Sequence, residues 1–188
     1  MSLITFIIPS IGRPTLQRAI DSLLAQSNPN WRAIIVFDGL PATQQFTDPR
    51  ISVIESVERL GAQSHNGNAG MVRNLAFPHV QTEWVGFLDD DDTLRSHYVE
   101  YLAQAQPSED FVLFRMQTTS GYIIPQVGSN SVVLNDAGIS FCVRMTKLRT
   151  SGQVFVNSNC EDFVFMNTMI NNGFSYQVNP EIVYNVRF

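Results

Sequence analysis

Residues 83–94, EWVGFLDDDDTL, join an apolar run to four consecutive aspartates, Asp89 to Asp92. Val85, Phe87 and Leu88 have the character of a buried strand, so the acids fall where that strand leaves its sheet. Two ionised carboxylates about 4 Å apart repel by roughly 4 kcal/mol at an effective dielectric of 20. Such a cluster needs a cation, protonation or solvent to offset it. A divalent metal is the simplest remedy. Oxygen ligands suit Mg²⁺, Mn²⁺ or Ca²⁺, and the chain has no zinc-like spacing of Cys or His. An acidic loop with helix-capping aspartates is the alternative that this stretch alone leaves open.

Upstream lies RLGAQSHNGNAGMVRNLAF, residues 59–77. Gly61, Gly67 and Gly70 among Asn and Ser predict a loop, and Met71 to Phe77 predict a short helix that brings Arg73 near the acids. Further back, residues 3–9 form a first strand, broken by Pro9, Gly12 and Pro14. Residues 15–26 form a helix with its apolar stripe at Leu16, Ala19, Ile20, Leu23 and Leu24. Residues 33–37 and 51–54 are two more strands, the first ending at Asp38-Gly39. This β, α, β, β order implies a mainly parallel sheet with a right-handed crossover.

Downstream of the acids, Ser96 is placed to cap a helix carrying Val99, Leu102 and Ala105, and residues 110–116 form another strand. Residues 117–140, rich in Gly, Ser, Thr and Asn, predict irregular or hairpin structure. Residues 161–170 form a helix apolar nearly all round, hence well buried, with the acidic pair Glu161-Asp162 at its head and Gly173 placed to end it. Residues 176–178 and 182–186 close the chain as short strands around Asn179-Pro180. No repeat, linker or composition shift divides the chain, so residues 1–188 are expected to form a single domain.

The 188 residues, 44% of them apolar and 15% charged, suffice for one domain with a sizeable core. A net charge of −5 argues against a general nucleic-acid surface, so no nucleic-acid partner is expected. Cys142 and Cys160 are too few for a disulfide framework and predict buried free thiols in a reducing, cytoplasmic setting. His65, His79 and His97 are scattered and predict surface positions. No apolar run reaches the roughly 20 residues of a membrane span and no basic leader opens the chain, so any membrane contact is expected through a partner.

Five stretches together carry a resemblance: FIIPSIGRPTLQRAIDSLLAQS, VFDG, NAGMVRNLAF, GFLDDDDTL and CEDFVF. In order and spacing the chain resembles the family 2 glycosyltransferases of the GT-A fold, over nearly its whole length. Each motif alone is weak; five in order make a specific signal. The resemblance implies an α/β, Rossmann-like three-layer sandwich whose central, mainly parallel sheet is flanked by helices. It also implies an inverting, metal-dependent transfer of a sugar from a nucleotide-sugar donor, a UDP-, GDP- or dTDP-sugar, to a hydroxyl of a glycan or other acceptor.

Carried over residue by residue, the family's D-x-D pattern falls on Asp89 and Asp91 as ligands of Mn²⁺ or Mg²⁺. Asp92 follows as it often does in relatives, Asp91 is the first choice of ligand, and Asp90 fills the variable position among the donor-binding residues. Arg73 matches the arginine of an A-R-N segment in which Val72 stands where alanine is usual; it would pair with a phosphate, hold the acids, or form a structural salt bridge. Asp38 matches the acid that reads the base. Relatives often carry two adjacent acids there and this chain has Phe37, so a plain Asp-Gly turn stays open. Pro9, Ser10 and Arg13 occupy the loop where relatives contact the nucleotide. Glu161-Asp162 matches the family's E-D catalytic pair, with Asp162 as the general base; capping of the helix is what the two acids alone would imply. Relatives commonly carry a histidine beyond a motif like VYNVRF, and this sequence stops at Phe188, so closure of the site is expected to be incomplete or supplied by another segment.

Two readings from other classes stand beside this one. A metal-dependent nucleotidyltransferase would use the same acids for attack at phosphorus. A non-catalytic nucleotide-sugar-binding domain would bind donor without turnover. Hydrolysis is disfavoured, because no second acid is placed to protonate a leaving glycoside.

Overall fold

The structure is a computed structural model and describes residues 2–63, 68–105 and 108–187. In chain order the first half comprises β1 (Ile4–Ser10), α1 (Leu16–Leu24), β2 (Trp31–Phe37), β3 (Ile51–Glu55), α2 (Ala69–Asn74), β4 (Trp84–Phe87) and β5 (Thr93–Leu94). The second half comprises α3 (Tyr98–Leu102), β6 (Phe111–Thr118), β7 (Ile123–Ile124), β8 (Phe141–Arg144), α4 (Met145–Ser151), α5 (Glu161–Asn171) and β9 (Tyr176–Val186). Short 3₁₀ turns span Leu60–Gln63 and Phe77–His79.

All seven residues of β1 and all four of β4 are buried, as is every residue of β2 except Arg32. Neighbouring side chains of a strand point to opposite faces, so complete burial means that both faces of this part of the sheet are covered. One nine-stranded sheet runs in the order β3-β2-β1-β4-β8-β6-β9-β5, with β7 paired to β6. From β3 to β4 the strands are parallel, with Ile4 opposite Trp31 and Ile7 opposite Phe87. Beyond β4 the sheet is mixed: β8 is antiparallel to both β4 and β6, while β9 runs parallel to β6. The parallel order predicted from the first four elements therefore holds on the side that builds the site.

Chain direction makes that site. From β1 the chain steps outward through β2 to β3, then returns to lay β4 on the other side of β1. The carboxyl ends of β1, β2 and β4 meet at this reversal, where open parallel sheets leave a crevice. Asp38 N–H donates to the Ser10 carbonyl at 2.9 Å and Leu88 N–H to the Ile7 carbonyl at 3.1 Å. Ser10, Asp38 and Asp89 are thus carried to one edge by the strand ends.

Several local expectations are corrected. Leu24 is 45% exposed while Leu16, Ala19, Ile20 and Leu23 are buried; eight residues of helix place it about 80° round from Leu16, at the margin of the stripe. Ser96 does not cap α3: His97 holds that place without a side-chain cap bond, and the Ser96 carbonyl accepts from Ser27 N–H at 2.8 Å. α5 is buried along one face only, at Phe165, Met166 and Met169, with Phe163, Val164 and Ile170 half-buried. Gly173 ends it as expected, at φ 76°, with its N–H on the Ile170 carbonyl and Phe174 N–H on that of Met169. The two closing strands are one, β9, which passes through Asn179-Pro180. There the five residues from Val178 to Ile182 face three on β6, Leu113 to Arg115, and the Arg115 guanidinium, donating to the Asn179 and Ser129 carbonyls at 3.1 and 3.0 Å, bridges the bulge.

Cys142 is a buried free thiol, but Cys160 is exposed. His79 and His97 are exposed as expected, and His65 and Gly67 lie outside the described residues. Among the described residues no helix is long and apolar enough to cross a membrane.

Candidate active site

A cleft of about 680 Å³ opens at the strand ends. It gathers Pro9, Ser10 and Arg13 from the loop after β1, Asp38 from β2, Arg73 from α2, Asp89, Asp90 and Asp91 from the loop after β4, and Glu161 and Asp162 from α5. These residues lie far apart in sequence and were all singled out from it. Asp92 is the exception: it does not line the cleft. The structure adds Arg59, Asn68, Ser158, Asn159 and Cys160 to the walls.

Arg73 is the centre of the inner wall. It is 1% exposed, yet its guanidinium meets three carboxylates: Asp89 through Nη2, Glu161 Oε1 at 2.6 Å and Asp162 Oδ1 at 3.8 Å through Nη1. Burial alone would lower its pKa, but the carboxylates of Asp89, Asp162 and Glu161 outweigh burial and hold it above its ordinary value. Behind it stand the rings of Phe87 and Phe155, their centroids 5.9 and 5.5 Å from the guanidinium carbon. Phe155 in turn stacks on Phe165 of α5, centroids 4.2 Å apart. Of the roles considered for Arg73, this geometry is that of the residue that holds the acids.

The two acids of α5 differ. Glu161 Oε1 accepts from Arg73 and from Gly70 N–H at 2.8 Å, a fully bonded oxygen. Asp162 has its Oδ1 buried without a hydrogen-bond partner among the described residues. Burial, with Asp89 and Glu161 adding repulsion against the pull of Arg73, pushes its carboxyl up to about 7. A carboxylate that lines the cleft and has its pKa raised toward neutrality can accept a proton.

On the outer rim Arg13, its side chain 47% exposed, reaches Asp90 Oδ1 at 3.2 Å and Asp91 Oδ2 at 2.6 Å. Asp90 is buried and takes the Ser10 hydroxyl on Oδ2 at 2.7 Å, which makes it a tie between β1 and the acidic loop. Burial raises its pKa, opposed by Ser10 and Arg13. Asp38, 3% exposed, accepts the N–H groups of Leu60 and Gly61 at 2.6 and 2.9 Å, one on each oxygen. It pins the 3₁₀ turn to the cleft floor, and each oxygen keeps a second lone pair.

The four aspartates thus fall into different environments. Asp89 and Asp91 are about one-third exposed, at 33% and 34% of their side chains, and both line the cleft. Each gives one oxygen to an arginine, Asp89 Oδ1 to Arg73 and Asp91 Oδ2 to Arg13, and retains the other. Asp92 is 4% exposed, accepts Arg187 N–H on Oδ1 at 2.8 Å, and has its carboxyl pushed up to about 7, chiefly by burial and then by Asp89. That environment sets Asp92 apart from Asp89 and Asp91, which line the cleft while it does not. Among the described residues no three His, Cys, Asp or Glu side chains are gathered to hold an ion. The donor set fits the sparser kind of Mg²⁺ or Mn²⁺ site, in which one or two carboxylates share the ion with phosphate oxygens and water.

The sequence model described as Glycosyl transferase family 2 matches residues 5–124. The chain belongs to that family. Among curated proteins it is 30% identical over 105 residues to "Putative teichuronic acid biosynthesis glycosyltransferase TuaG" of Bacillus subtilis (strain 168), covering 52% of this chain and 39% of that protein. It is 36% identical over 98 residues to "Putative colanic acid biosynthesis glycosyl transferase WcaA" of Escherichia coli (strain K12), covering 48% and 33%. The chain therefore spans between a third and two-fifths of the length of these relatives. Among solved structures, S. aureus TarS 1-349 in complex with UDP superposes with a TM-score of 0.79 at 18% identity, covering 100% of this chain and 61% of that one. The mannosyltransferase PcManGT from Pyrobaculum calidifontis, in complex with GDP-Man and Mn²⁺, superposes with a TM-score of 0.71 at 15% identity, covering 97% and 56%. At such identities the likeness defines the fold, which is GT-A.

Proposed function

We propose that the chain is an inverting, metal-dependent glycosyltransferase domain that moves a sugar from a UDP-, GDP- or dTDP-sugar to a hydroxyl of a glycan or similar acceptor. Support comes from the family, from the UDP and GDP-Man in the complexes of TarS and PcManGT, and above all from Asp162. That carboxylate, its side chain 28% exposed, stands with its pKa raised to about 7 at the wall of a cleft whose other walls carry the acids and cations a diphosphate needs.

In this reading the donor's base lies toward Asp38 and Pro9, and its diphosphate lies by Asp89, Asp91 and Arg13. A divalent ion, Mn²⁺ or Mg²⁺, held by Asp91 and Asp89, would stabilise the negative charge that gathers on the leaving diphosphate. Asp162 takes the proton of the acceptor hydroxyl while its oxygen forms a bond to the anomeric carbon. The bond from that carbon to the phosphate oxygen breaks on the opposite face, so configuration inverts. Arg73 keeps Asp89, Glu161 and Asp162 at fixed separations, and Glu161 ties α5 to α2 through Gly70. Positioning of this kind matters because displacement by an ångström can cost a hundredfold in rate, on the order of 10².

A panel of UDP-, GDP- and dTDP-sugars, each with and without Mn²⁺ and read by melting temperature, tests the donor. Binding of a specific ligand raises the melting point. A chain that responds to none of them is not a nucleotide-sugar enzyme. One that binds a donor but never delivers sugar to any acceptor is the non-catalytic binding domain instead.

A further inference from the structure

We propose that Tyr184 is a positioning residue for the donor site: its phenol, through the Asp89 amide, holds the aspartate loop in the shape that presents Asp89 and Asp91 to the cleft. The inference rests on the functional reading above and extends it to the last strand. Tyr184 is fully buried on β9, and its hydroxyl oxygen accepts Asp89 N–H at 3.0 Å.

The rest of the strand's end repeats the grip. Arg187 N–H donates to Asp92 Oδ1 at 2.8 Å, and Asp92 N–H closes the loop on the Asp89 carbonyl at 3.1 Å. Thr93 and Leu94 pair with Asn185 and Tyr184, and Arg95 N–H reaches the Val183 carbonyl at 2.7 Å. Asp89 is therefore fixed at both ends, its side chain by Arg73 and its amide by Tyr184. Asp92, buried, bonded to the Arg187 N–H and absent from the cleft wall, anchors the far end of the same loop. Outer partners of this kind orient ligating groups, and their loss costs roughly 10- to 100-fold in metal affinity.

Tyr184→Phe keeps the buried ring and removes only the hydroxyl. Tyr176→Phe, on the same strand with its ring stacked on Phe111 at a 4.9 Å centroid distance, is the control for hydroxyl loss elsewhere on β9. Two readouts are needed: amide hydrogen exchange at Asp89, and titration of UDP and of GDP with and without Mn²⁺. In Tyr184→Phe the Asp89 amide is expected to exchange about tenfold faster, with Val178 unchanged. The Mn²⁺-dependent gain in nucleotide affinity should fall about tenfold while metal-free affinity holds, and Tyr176→Phe should do neither. An unaltered Asp89 amide in Tyr184→Phe overturns the proposal, as does an equal loss of the Mn²⁺ gain in Tyr176→Phe. A wild-type protein whose UDP and GDP affinities ignore Mn²⁺ overturns the metal part of the functional reading, and the Asp89 amide then decides by itself whether Tyr184 holds the loop.

Discussion

Two arginines reach the same run of aspartates, and they do so under opposite conditions. Arg73 has a side chain 2% exposed and faces Asp89, Glu161 and Asp162; Arg13 has one 47% exposed and faces Asp90 and Asp91. A buried cation between carboxylates cannot be removed without stranding charge away from water, whereas an exposed pair is screened and re-solvated at little cost. The inner wall of the cleft is thus part of the fold, and the outer rim is free to change partners. Under the proposed function, Arg13 would exchange a carboxylate for a donor phosphate and leave Asp91 available to a cation.

The sharpest way to break this contrast is Arg73→Ala. It is expected to destabilise the protein by about 3–5 kcal/mol, the usual penalty for removing one member of a buried ion pair; a denaturation midpoint close to that of the wild type would place Arg73 among the exchangeable groups.

Asp162→Asn comes next and leaves the inner wall standing. The turnover rate should fall by about 10² to 10⁴ with donor affinity nearly intact, since a general base acts in the transition state. Because the wild-type carboxyl sits at about 7, the rate should climb as pH rises through about 7, as the base loses its proton, and level off above it. The same shift has a consequence for folding. A folded carboxyl at about 7 keeps a proton that the unfolded chain, near the ordinary value of 3.8, releases. Stability therefore falls as pH rises from about 4 to about 7. The slope should be shallower in Asp162→Asn, which urea titrations at pH 5 and 8 would register; equal slopes would mean that Asp162 is ionised in the folded protein throughout.

On the rim, Asp91→Asn should remove the Mn²⁺-dependent part of donor binding while the protein stays folded, because a ligand is lost and no cavity opens. Calorimetric titration with and without Mn²⁺ checks it, and an unchanged Mn²⁺ gain would dismiss Asp91 as a ligand. The smallest effect is expected from Arg13→Ala: a stability change within about 1 kcal/mol, alongside weaker binding of nucleoside diphosphate than of nucleoside. A larger loss of stability would erase the distinction between rim and wall.

Much of this was written locally in the sequence. The apolar runs that became β1, β2 and β4, the stripe of α1 and the acids at strand and helix ends are patterns of a few residues, and the chain order of strands implied where they would meet. What failed needed distant partners. Asp91 and Asp92 are adjacent and identical in type, and it is Arg187, 95 positions on from Asp92, that helps turn one of them inward. β8 and α4 went unread because FCVRMTKLR runs from strand to helix without a turn residue between them; Gly152, left-handed at φ 66° after α4, was the available sign of a helix end. Arg59, Ser158 and Asn159 reach the cleft from loops whose composition has no period to read.

Gly70 shows how finely the inner wall is gauged. A Cβ at this position would stand 2.7 Å from that of Phe155, while its amide must come within 2.8 Å of Glu161. The helix accepts a residue that weakens it by about 1 kcal/mol relative to alanine, and what it gains is clearance. The approach of α2 to Phe155, whose ring stacks on Phe165 of α5, is set by one missing carbon atom. A molecule built this way has its tolerances written as an absence, at a residue that touches no substrate and carries no charge.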